Sequence, residues 1–186
     1  MRKVKLQMQM SLDGFVGGPN GELDWMTWDW SDDMEEYATE LTHSFDTILL
    51  GRKMTDGFIS HWEEVCKNPE SPNYDAAKIF IDTPKITFSR TLTESKWKNT
   101  TVENSTDRIK ELKAQGGDDI IVYGGASFVT SLVKERLIDE YYLFINPTVV
   151  GKGLRIFDKV GDRMDLKLED SMKFDCGIVL MKYSSY

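Results

Sequence analysis

Short apolar runs with the character of buried strands alternate with amphipathic helical patterns along most of this chain of 186 residues. A chain that alternates in this way needs crossover connections, which give a mainly parallel sheet with helices on its faces. We therefore predict an α/β fold. The predicted strands cover Lys3–Leu12, Thr47–Leu50, Lys85–Ser89, Trp97–Val102, Asp119–Tyr123 and Leu137–Ile145. The first predicted helix begins near Ser31 or Asp32. The other predicted helices cover Thr55–His61, Ala76–Ile81, Thr106–Gln115 and Ser127–Glu135.

The tail of the chain departs from this alternation. Two strand-like segments, Asp165–Phe174 and Ile178–Tyr183, are joined by the turn-forming residues Asp175-Cys176-Gly177. They predict a C-terminal antiparallel hairpin at the edge of an otherwise parallel sheet. No internal repeat and no linker divides the sequence, so we expect residues 1–186 to form a single domain.

The net charge of −8 excludes some partners. Nucleic acids are bound by basic stripes, and because none is present we expect no nucleic-acid partner. No apolar run is long enough to span a bilayer, and the alternation over Met1–Met10 differs from a signal peptide, so we expect no membrane association. Cys66 and Cys176 are far apart and lack metal-ligand spacing. They favour a reducing, cytoplasmic setting and predict no metal site.

Three predicted strands end in residues that suit a phosphate, namely Gly51-Arg52, Ser89-Arg90 and Gly124-Gly125. In a parallel sheet such ends meet at one edge, where open α/β folds bind ligands. Helix N-termini offer unpaired amides, glycines let a phosphate reach the backbone, and arginine binds a phosphate monoester with a planar fork. Singly, each pair also suits a tight turn or an ordinary helix start. Together they favour NADPH over NADH, because NADH-binding sites usually place an acidic residue at the ribose.

These segments resemble the dihydrofolate-reductase superfamily and, within it, the stand-alone relatives of the riboflavin-biosynthesis reductase domain. The matching motifs lie in family order over nearly the whole chain, at Met10–Val16, Leu50–Thr55, Val122–Ser127, Leu137–Glu140, Pro147, Gly151 and Gly153. The resemblance implies a dihydrofolate-reductase-like fold with a central mixed, mostly parallel sheet flanked by helices. It implies NADPH contacts from Gly51, Arg52, Thr55, Ser89, Arg90, Gly124, Gly125 and Ser127, with Val16 and Gly17 in a mobile loop over the nicotinamide.

Two acidic residues are candidates for the catalytic site. The resemblance places Asp13 close to the face where the hydride is transferred, although Asp13 beside Gly14 also suits a plain turn. An acid on the first helix binds the pteridine in dihydrofolate reductases, and Glu35 has the nearest spacing; acids there also suit a helix start that faces water. The chain departs from the riboflavin reductases at Phe15, where a basic residue is usual, and it lacks the zinc deaminase signature of the bifunctional enzymes.

The first predicted strand leads into a glycine-rich loop, which contains Asp13-Gly14 and Gly17-Gly18-Pro19-Asn20-Gly21. Trp25, Trp28 and Trp30 cluster after this loop. Their large rings suit a wall for a flat heteroaromatic substrate, or equally a contact that packs the loop onto the domain or onto a second subunit. The resemblance also makes a homodimer plausible. His43 and His61 have no partner at ligand spacing, so we expect them at the surface or at helix ends.

The resulting hypothesis is an oxidoreductase that uses NADPH to reduce a small heterocyclic or imine-bearing metabolite. The cofactor supplies the hydride, so no strong nucleophile is needed, and the proton comes from a carboxylic acid such as Asp13 or through water. Its most specific form is the reduction of 5-amino-6-(5-phosphoribosylamino)uracil in riboflavin biosynthesis. Dihydrofolate reduction and non-catalytic NADPH binding are the alternatives.

Overall fold

The computed structural model describes all 186 residues and contains one eight-stranded sheet with five helices packed on its faces. The strands are β1 (Val4–Ser11), β2 (Phe45–Gly51), β3 (Lys85–Phe88), β4 (Thr100–Glu103), β5 (Asp119–Gly124), β6 (Glu140–Asn146), β7 (Leu166–Lys173) and β8 (Val179–Ser185). The helices are α1 (Asp32–Thr42), α2 (Arg52–Val65), α3 (Tyr74–Asp82), α4 (Asp107–Ala114) and α5 (Ala126–Lys134).

The strand order in the sheet is β4-β3-β2-β5-β1-β6-β8-β7. All pairings from β4 to β6 are parallel, whereas β8 runs antiparallel to β6, and β7 antiparallel to β8. This confirms the predicted α/β fold with a mostly parallel sheet and a C-terminal hairpin. The parallel strands all end at one side of the sheet, which we call the carboxyl edge.

The alternation along β1 decides how this central strand is covered. Val4, Leu6, Met8 and Met10 belong to a core cluster that includes residues of α4 and α5, on the first face of the sheet. The residues between them point to the second face, because side chains alternate along a strand. That face is packed by α1, α2 and α3 through a second, aromatic-rich cluster. Any polar side chain of β1 on the second face therefore has to be paired or to lie beside a cleft.

Several element boundaries differ from the prediction by two to four residues. The strand predicted to start at Trp97 begins only at Thr100, because Trp97 turns toward α2 and donates its indole N–H to Asp56 over 2.9 Å. Helix α2 begins at Arg52, immediately after the strand residue Gly51, instead of near Thr55. Strand and helix thus meet without a loop, which places the start of α2 directly at the carboxyl edge.

The isolated histidines and cysteines take peripheral positions. His43 is the exposed C-cap of α1, and His61 is exposed on α2, as predicted. Cys66 and Cys176 are free and partly buried. No group of three or more His, Cys, Asp or Glu side chains is arranged to hold a metal ion. Nor does any helix combine the length and the apolar character that crossing a membrane requires.

Lys85, the first residue of β3, secures the end of α3 on the second face. Its side chain is buried and donates to the carbonyl oxygens of Phe80 (2.7 Å), Ile81 (3.0 Å) and Thr83 (2.7 Å). Carbonyls in the last turn of a helix lack partners within the helix, so these bonds satisfy groups that would otherwise be unpaired. Burial lowers the pKa of Lys85 from 10.5 to about 8, despite the nearby acidic side chains that favour the charged form.

We expect Lys85→Met to lower the free energy of unfolding by about 1–3 kcal/mol at pH 7, because the carbonyls lose a buried donor. The difference between wild type and variant should widen from pH 8 to pH 10. In that range the folded state has released the Lys85 proton while the unfolded state still holds it, so rising pH favours folding of the wild type. Urea denaturation across the pH series measures this difference. A difference that stays constant with pH would contradict the lowered pKa of Lys85.

Candidate functional site

The three phosphate-suited pairs predicted from the sequence lie side by side at the carboxyl edge. Gly51 at the end of β2 pairs with Phe88 at the end of β3, so Ser89 and Arg90 follow beside it. On the other side of β2, Leu50 pairs with Gly124 at the end of β5. The predicted meeting of these strand ends is therefore confirmed.

The junctions approach one another so closely that side chains are excluded. A Cβ atom placed on Gly51 would lie 2.9 Å from the Phe128 Cβ and 3.0 Å from the Gly125 nitrogen. Gly124 has a φ of +131°, and a Cβ atom on it would lie 3.0 Å from the Met54 sulfur. The Gly124–Gly125 peptide bond is cis. The starts of α2 and α5 are thus held almost in contact across bare backbone.

The two helices that start here carry no acidic residue in their first turns. In contrast, α1, α3 and α4 each have at least one, such as Asp75 in α3 and Asp107 in α4. An acidic side chain in the first turn neutralises the partial positive charge of a helix N-terminus. At α2 and α5 that charge stays available, which is the arrangement found where helices bind phosphate groups.

Arg52 and Arg90 add two full positive charges to this edge. Both side chains are exposed, and neither forms a salt bridge. Arg52 contributes to lowering the pKa of Asp56, but the carboxylate of Asp56 is bonded chiefly to Lys96 at 2.8 Å. In a chain with a net charge of −8, these two guanidinium groups remain free to bind an anion.

The three predicted hydroxyl contacts differ in their surroundings. Thr55 is fully buried, and its hydroxyl bonds the Gly51 carbonyl (3.2 Å) and the Thr87 hydroxyl (2.5 Å). The predicted NADPH contact of Thr55 is therefore not available; it stabilises the junction of β2 and α2 from inside. Ser89 is also buried, with its Oγ accepting the amides that follow it in the turn. Ser127 is exposed at the start of α5, and its predicted contact stays a prediction.

The glycine loop, residues 12–21, is docked where the sequence predicts mobility. The Val16 amide donates to the Leu154 carbonyl and the Leu154 amide donates to the Gly17 carbonyl, both over 2.8 Å. Gly153 allows this contact, because a Cβ atom on it would lie only 2.1 Å from the Gly17 oxygen. Val16 and Gly17 are buried in this arrangement, and the exposed stretch of the loop is 19–24. The predicted mobility of Val16 and Gly17 over a nicotinamide stays a prediction.

Asp13 connects the start of the glycine loop to residues 150 and 151. Its carboxylate accepts the Ser11 hydroxyl (2.7 Å) and the backbone amides of Val150 (3.1 Å) and Gly151 (2.7 Å). Desolvation raises the pKa of Asp13, but these hydrogen bonds outweigh it and lower the pKa to about 2. A group with this pKa has no proton to give at neutral pH. The suggestion that Asp13 is the proton donor is therefore corrected: Asp13 is an anion that positions the loops around the end of β1.

Glu35 lies in the first turn of α1, close to the carboxyl edge, and is partly buried. Its side chain forms no hydrogen bond or salt bridge, so its predicted role stays a prediction. The acidic residue of α1 that does form hydrogen bonds is Asp33, whose carboxylate accepts hydrogen bonds from the Ser31 hydroxyl and the Asp175 amide. Together with a bond from the Cys176 amide to Ser31, this ties the start of α1 to the β7–β8 turn.

Asn146, the last residue of β6, is a residue that the sequence analysis missed, because the predicted strand ends at Ile145. Its side chain is fully buried, and its Oδ1 accepts the Thr27 amide over 2.9 Å. This bond fixes the tryptophan-containing segment to the end of β6. Of the three tryptophans only Trp30 packs against the aromatic core cluster, whereas Trp28 is 64% exposed.

A depression of about 620 Å³ lies at the opposite edge of the sheet, between Arg136, Arg163, Asp165, Leu166 and Tyr186. Its cations are already engaged: Arg163 pairs with Asp165 at 2.8 Å, and Arg136 donates to the Arg163 carbonyl. The carboxyl edge, with free arginines and two unneutralised helix starts, is the better candidate for an anionic ligand.

The sequence matches the family model described as the RibD C-terminal domain over residues 2–180. The uncharacterized protein YyaP of Bacillus subtilis (strain 168) is 35% identical over 185 residues, covering 98% of this chain and 94% of YyaP. The uncharacterized protein YwjB of the same strain is 27% identical over 181 residues, or 96% of each chain.

Solved structures share the architecture. A protein from Shewanella sp. PV-4, provisionally assigned to riboflavin biosynthesis, gives a TM-score of 0.74 at 21% identity, covering 100% of this chain and 99% of that one. The deaminase/5-amino-6-(5-phosphoribosylamino)uracil reductase of Thermotoga maritima gives 0.69 at 16% identity, and this chain spans 57% of its length. The likeness confirms the predicted dihydrofolate-reductase-like fold.

The close contacts of Gly51 can be tested by comparing two glycine-to-alanine substitutions, one at the junction of β2 and α2 and one within α2. We expect Gly51→Ala to lower the free energy of unfolding by about 1–3 kcal/mol, because its methyl group collides with the backbone at the start of α5. Gly57→Ala, within α2, has no atom within 4 Å of the added carbon and should raise stability by about 0.5–1 kcal/mol. Urea denaturation at pH 7 compares the two. Equal effects would contradict the close approach at Gly51.

The low pKa of Asp13 makes a second prediction. Because the carboxylate is stabilised in the folded state, its contribution to stability is complete above about pH 4 and is lost as the pH falls toward 2. Asp13→Asn should therefore lower stability most above pH 5, with the difference from wild type shrinking as the pH falls. Denaturation at several pH values measures this; a difference that grows in acid would refute the assignment.

Proposed function

Because this chain belongs to the RibD C-terminal domain family, we propose that it is a reductase that takes a hydride from NADPH and transfers it to a small heterocyclic or imine-bearing metabolite. The observation that carries the proposal is that Arg52 and Arg90, which form no salt bridge, lie beside the starts of two helices that have no acidic residue in their first turns. Together these features suit a dinucleotide with three phosphate groups. The proposed setting is the cytoplasm.

The residues of the carboxyl edge fit NADPH group by group. The start of α5 after Gly125 offers backbone amides to the pyrophosphate, and the close approach at Gly51 and Gly124 brings the start of α2 beside it. Arg52 and Arg90, on neighbouring strand ends, flank the position proposed for the 2′-phosphate, where a guanidinium fork binds a monoester well. None of these three strand ends carries the acidic residue that NADH-binding sites usually place at the ribose.

In this proposal the bound nicotinamide supplies the hydride, and the protein orients the reactants and excludes water. The docked glycine loop and the segment bonded to Asp13 close the site around the end of β1. Since Asp13 is ionised, it stabilises this arrangement without supplying the proton, which then reaches the substrate through water or another acid such as Glu35. No nucleophilic side chain is required.

The substrate we favour is 5-amino-6-(5-phosphoribosylamino)uracil, the substrate in the name of the Thermotoga maritima relative. The loss of NADPH absorbance is followed with this compound and, separately, with dihydrofolate. Turnover of the first supports the riboflavin assignment, and turnover of the second alone moves the substrate to a folate. NADPH binding without oxidation of either would overturn the assignment of both substrates.

Arg52→Ala should weaken NADPH binding about 10- to 100-fold, because a charge-assisted hydrogen bond to the 2′-phosphate is lost. NADH, which lacks that phosphate, should bind the variant and the wild type about equally. Fluorescence titration of the tryptophans with each dinucleotide measures both affinities. Arg163→Ala, at the opposite edge, removes the same charge and is the matched control. Equal losses for NADPH and NADH at Arg52→Ala would count against the proposed phosphate site.

A further inference from the structure

Helix α2 carries two opposite charges about one turn apart, Arg52 at its first position and Asp56 at its fifth. Side chains four residues apart on a helix are neighbours, and a cation and an anion at this spacing attract each other. Such a pair would engage the guanidinium group that the proposed function assigns to a phosphate. In the structure, however, Arg52 and Asp56 form no salt bridge with each other. Whatever prevents this pairing decides whether Arg52 can bind a ligand.

The carboxylate of Asp56 is bonded instead by the loop between β3 and β4. The Lys96 ammonium lies 2.8 Å from Asp56 Oδ1, and the Trp97 indole N–H donates to the same oxygen over 2.9 Å. The Lys96 ammonium also lies 5.1 Å from the centroid of the Trp97 ring, which is within the range of a cation–π interaction. Each of the three side chains therefore contacts the other two.

A turn in this loop fixes the indole of Trp97. The Ser95 hydroxyl donates to the Trp97 carbonyl and accepts the Trp97 amide, both over 3.1 Å. Trp97 is partly buried, although Lys96 and Lys98 on either side of it are exposed. A salt bridge between exposed side chains usually contributes little, because two flexible side chains must be ordered. Here the indole contacts both charged groups and orders the carboxylate and the ammonium together.

The influences on the ionisation of Asp56 agree with this geometry. Hydrogen bonds from Lys96 and then from Trp97 are the largest causes of the lowered pKa of Asp56, and the charge of Arg52 is the smallest. Arg52 is thus close enough to interact with Asp56 without being its partner. Without Lys96, the carboxylate would be an uncompensated negative charge about 6 Å along the helix axis from Arg52.

We propose that Lys96 and Trp97 are positioning residues, which hold the Asp56 carboxylate away from Arg52 and so leave the Arg52 guanidinium free for the 2′-phosphate of NADPH. Both residues act through Asp56 and not by contact with the ligand. The identity of the ligand rests on the proposed function, whereas the separation of Asp56 from Arg52 rests on the bonds of the β3–β4 loop. When Lys96 is removed, Asp56 pairs with Arg52 and its charge also repels the phosphate.

A direct effect of the Lys96 charge has to be separated from this positioning effect. The ammonium of Lys96 also attracts an anion at the carboxyl edge through the solvent. That attraction is independent of Asp56, whereas positioning requires a carboxylate at residue 56. A double-mutant cycle with Asp56→Asn separates the two effects, because changes at sites that act independently are additive.

The test measures NADPH and NADH binding by calorimetry at low ionic strength, where exposed charges are least screened. The cofactor preference is the ratio of the NADH to the NADPH dissociation constant. Lys96→Met should lower this preference about two- to fivefold, because an exposed ion pair at this spacing is weak but competes directly for Arg52. In the Asp56→Asn background, Lys96→Met should leave the preference unchanged. Trp97→Phe, which removes the indole N–H without changing the charge, should lower it about twofold.

Lys98→Met is the matched control, since it removes the same charge from the same loop. Lys98 is exposed and forms no salt bridge, so the preference should not change. An equal fall in Lys98→Met and Lys96→Met would overturn the proposal, as would a fall in Lys96→Met that persists in the Asp56→Asn background. No fall in Lys96→Met would overturn it as well. An unchanged preference in Trp97→Phe would overturn the part assigned to Trp97.

A measurement without dinucleotide separates this proposal from the proposed function. Titration of Asp56 by carbon NMR gives its pKa, and Arg52→Ala should raise this pKa more in the Lys96→Met background than in wild type. The reason is that the carboxylate pairs with Arg52 only when Lys96 is missing. An equal rise in both backgrounds would overturn the positioning role, whether or not wild type binds NADPH. Absent NADPH binding together with the larger rise refutes only the reductase, and intact NADPH binding with an unchanged preference refutes only the positioning role.

Discussion

The close approach of Gly51 to the start of α5 is the contact on which the carboxyl edge depends. Because these residues have no side chains, β2 can turn directly into α2 while β5 turns into α5 beside it. The buried hydroxyl of Thr55 then fixes the first turn of α2 to the Gly51 carbonyl and to Thr87 of β3. Two helix starts and two arginines are brought together as a result. A bulkier junction would separate the groups that we assign to the phosphates.

The sequence predicts this edge well because the relevant signals are local. A strand that ends in glycine and leads into a helix can be recognised from a few residues, and the parallel sheet then brings such ends together. The contributions of Asp13 and Thr55 could not be predicted, because each depends on partners distant in the chain. Asp13 is held as an anion by the nearby Ser11 hydroxyl and also by two amides more than 130 residues away, and Thr55 faces Thr87 in another strand. The same limit applies to the glycine loop, whose docking depends on Gly153.

Asn146 shows how one buried amide links otherwise separate parts of the site. Its oxygen holds the segment that leads to Trp30, and its nitrogen fixes the side chain of Gln9. From the sequence alone, Asn146 beside Pro147 is an ordinary break after a strand. Only the pairing of β6 with β1 places this side chain where it can orient a neighbour. A change at Asn146 would therefore affect the segment before α1 and the side chain of Gln9 together.

The distribution of charge reconciles an acidic protein with an anionic cofactor. The net charge of −8 would repel a dinucleotide phosphate at long range, but at physiological ionic strength such repulsion is screened beyond about 8 Å. Within that distance the ligand meets Arg52, Arg90 and two helix starts that carry no acidic residue. Binding strength and cofactor choice are thus assigned to this charged edge, where the local charges outweigh the net charge of the chain.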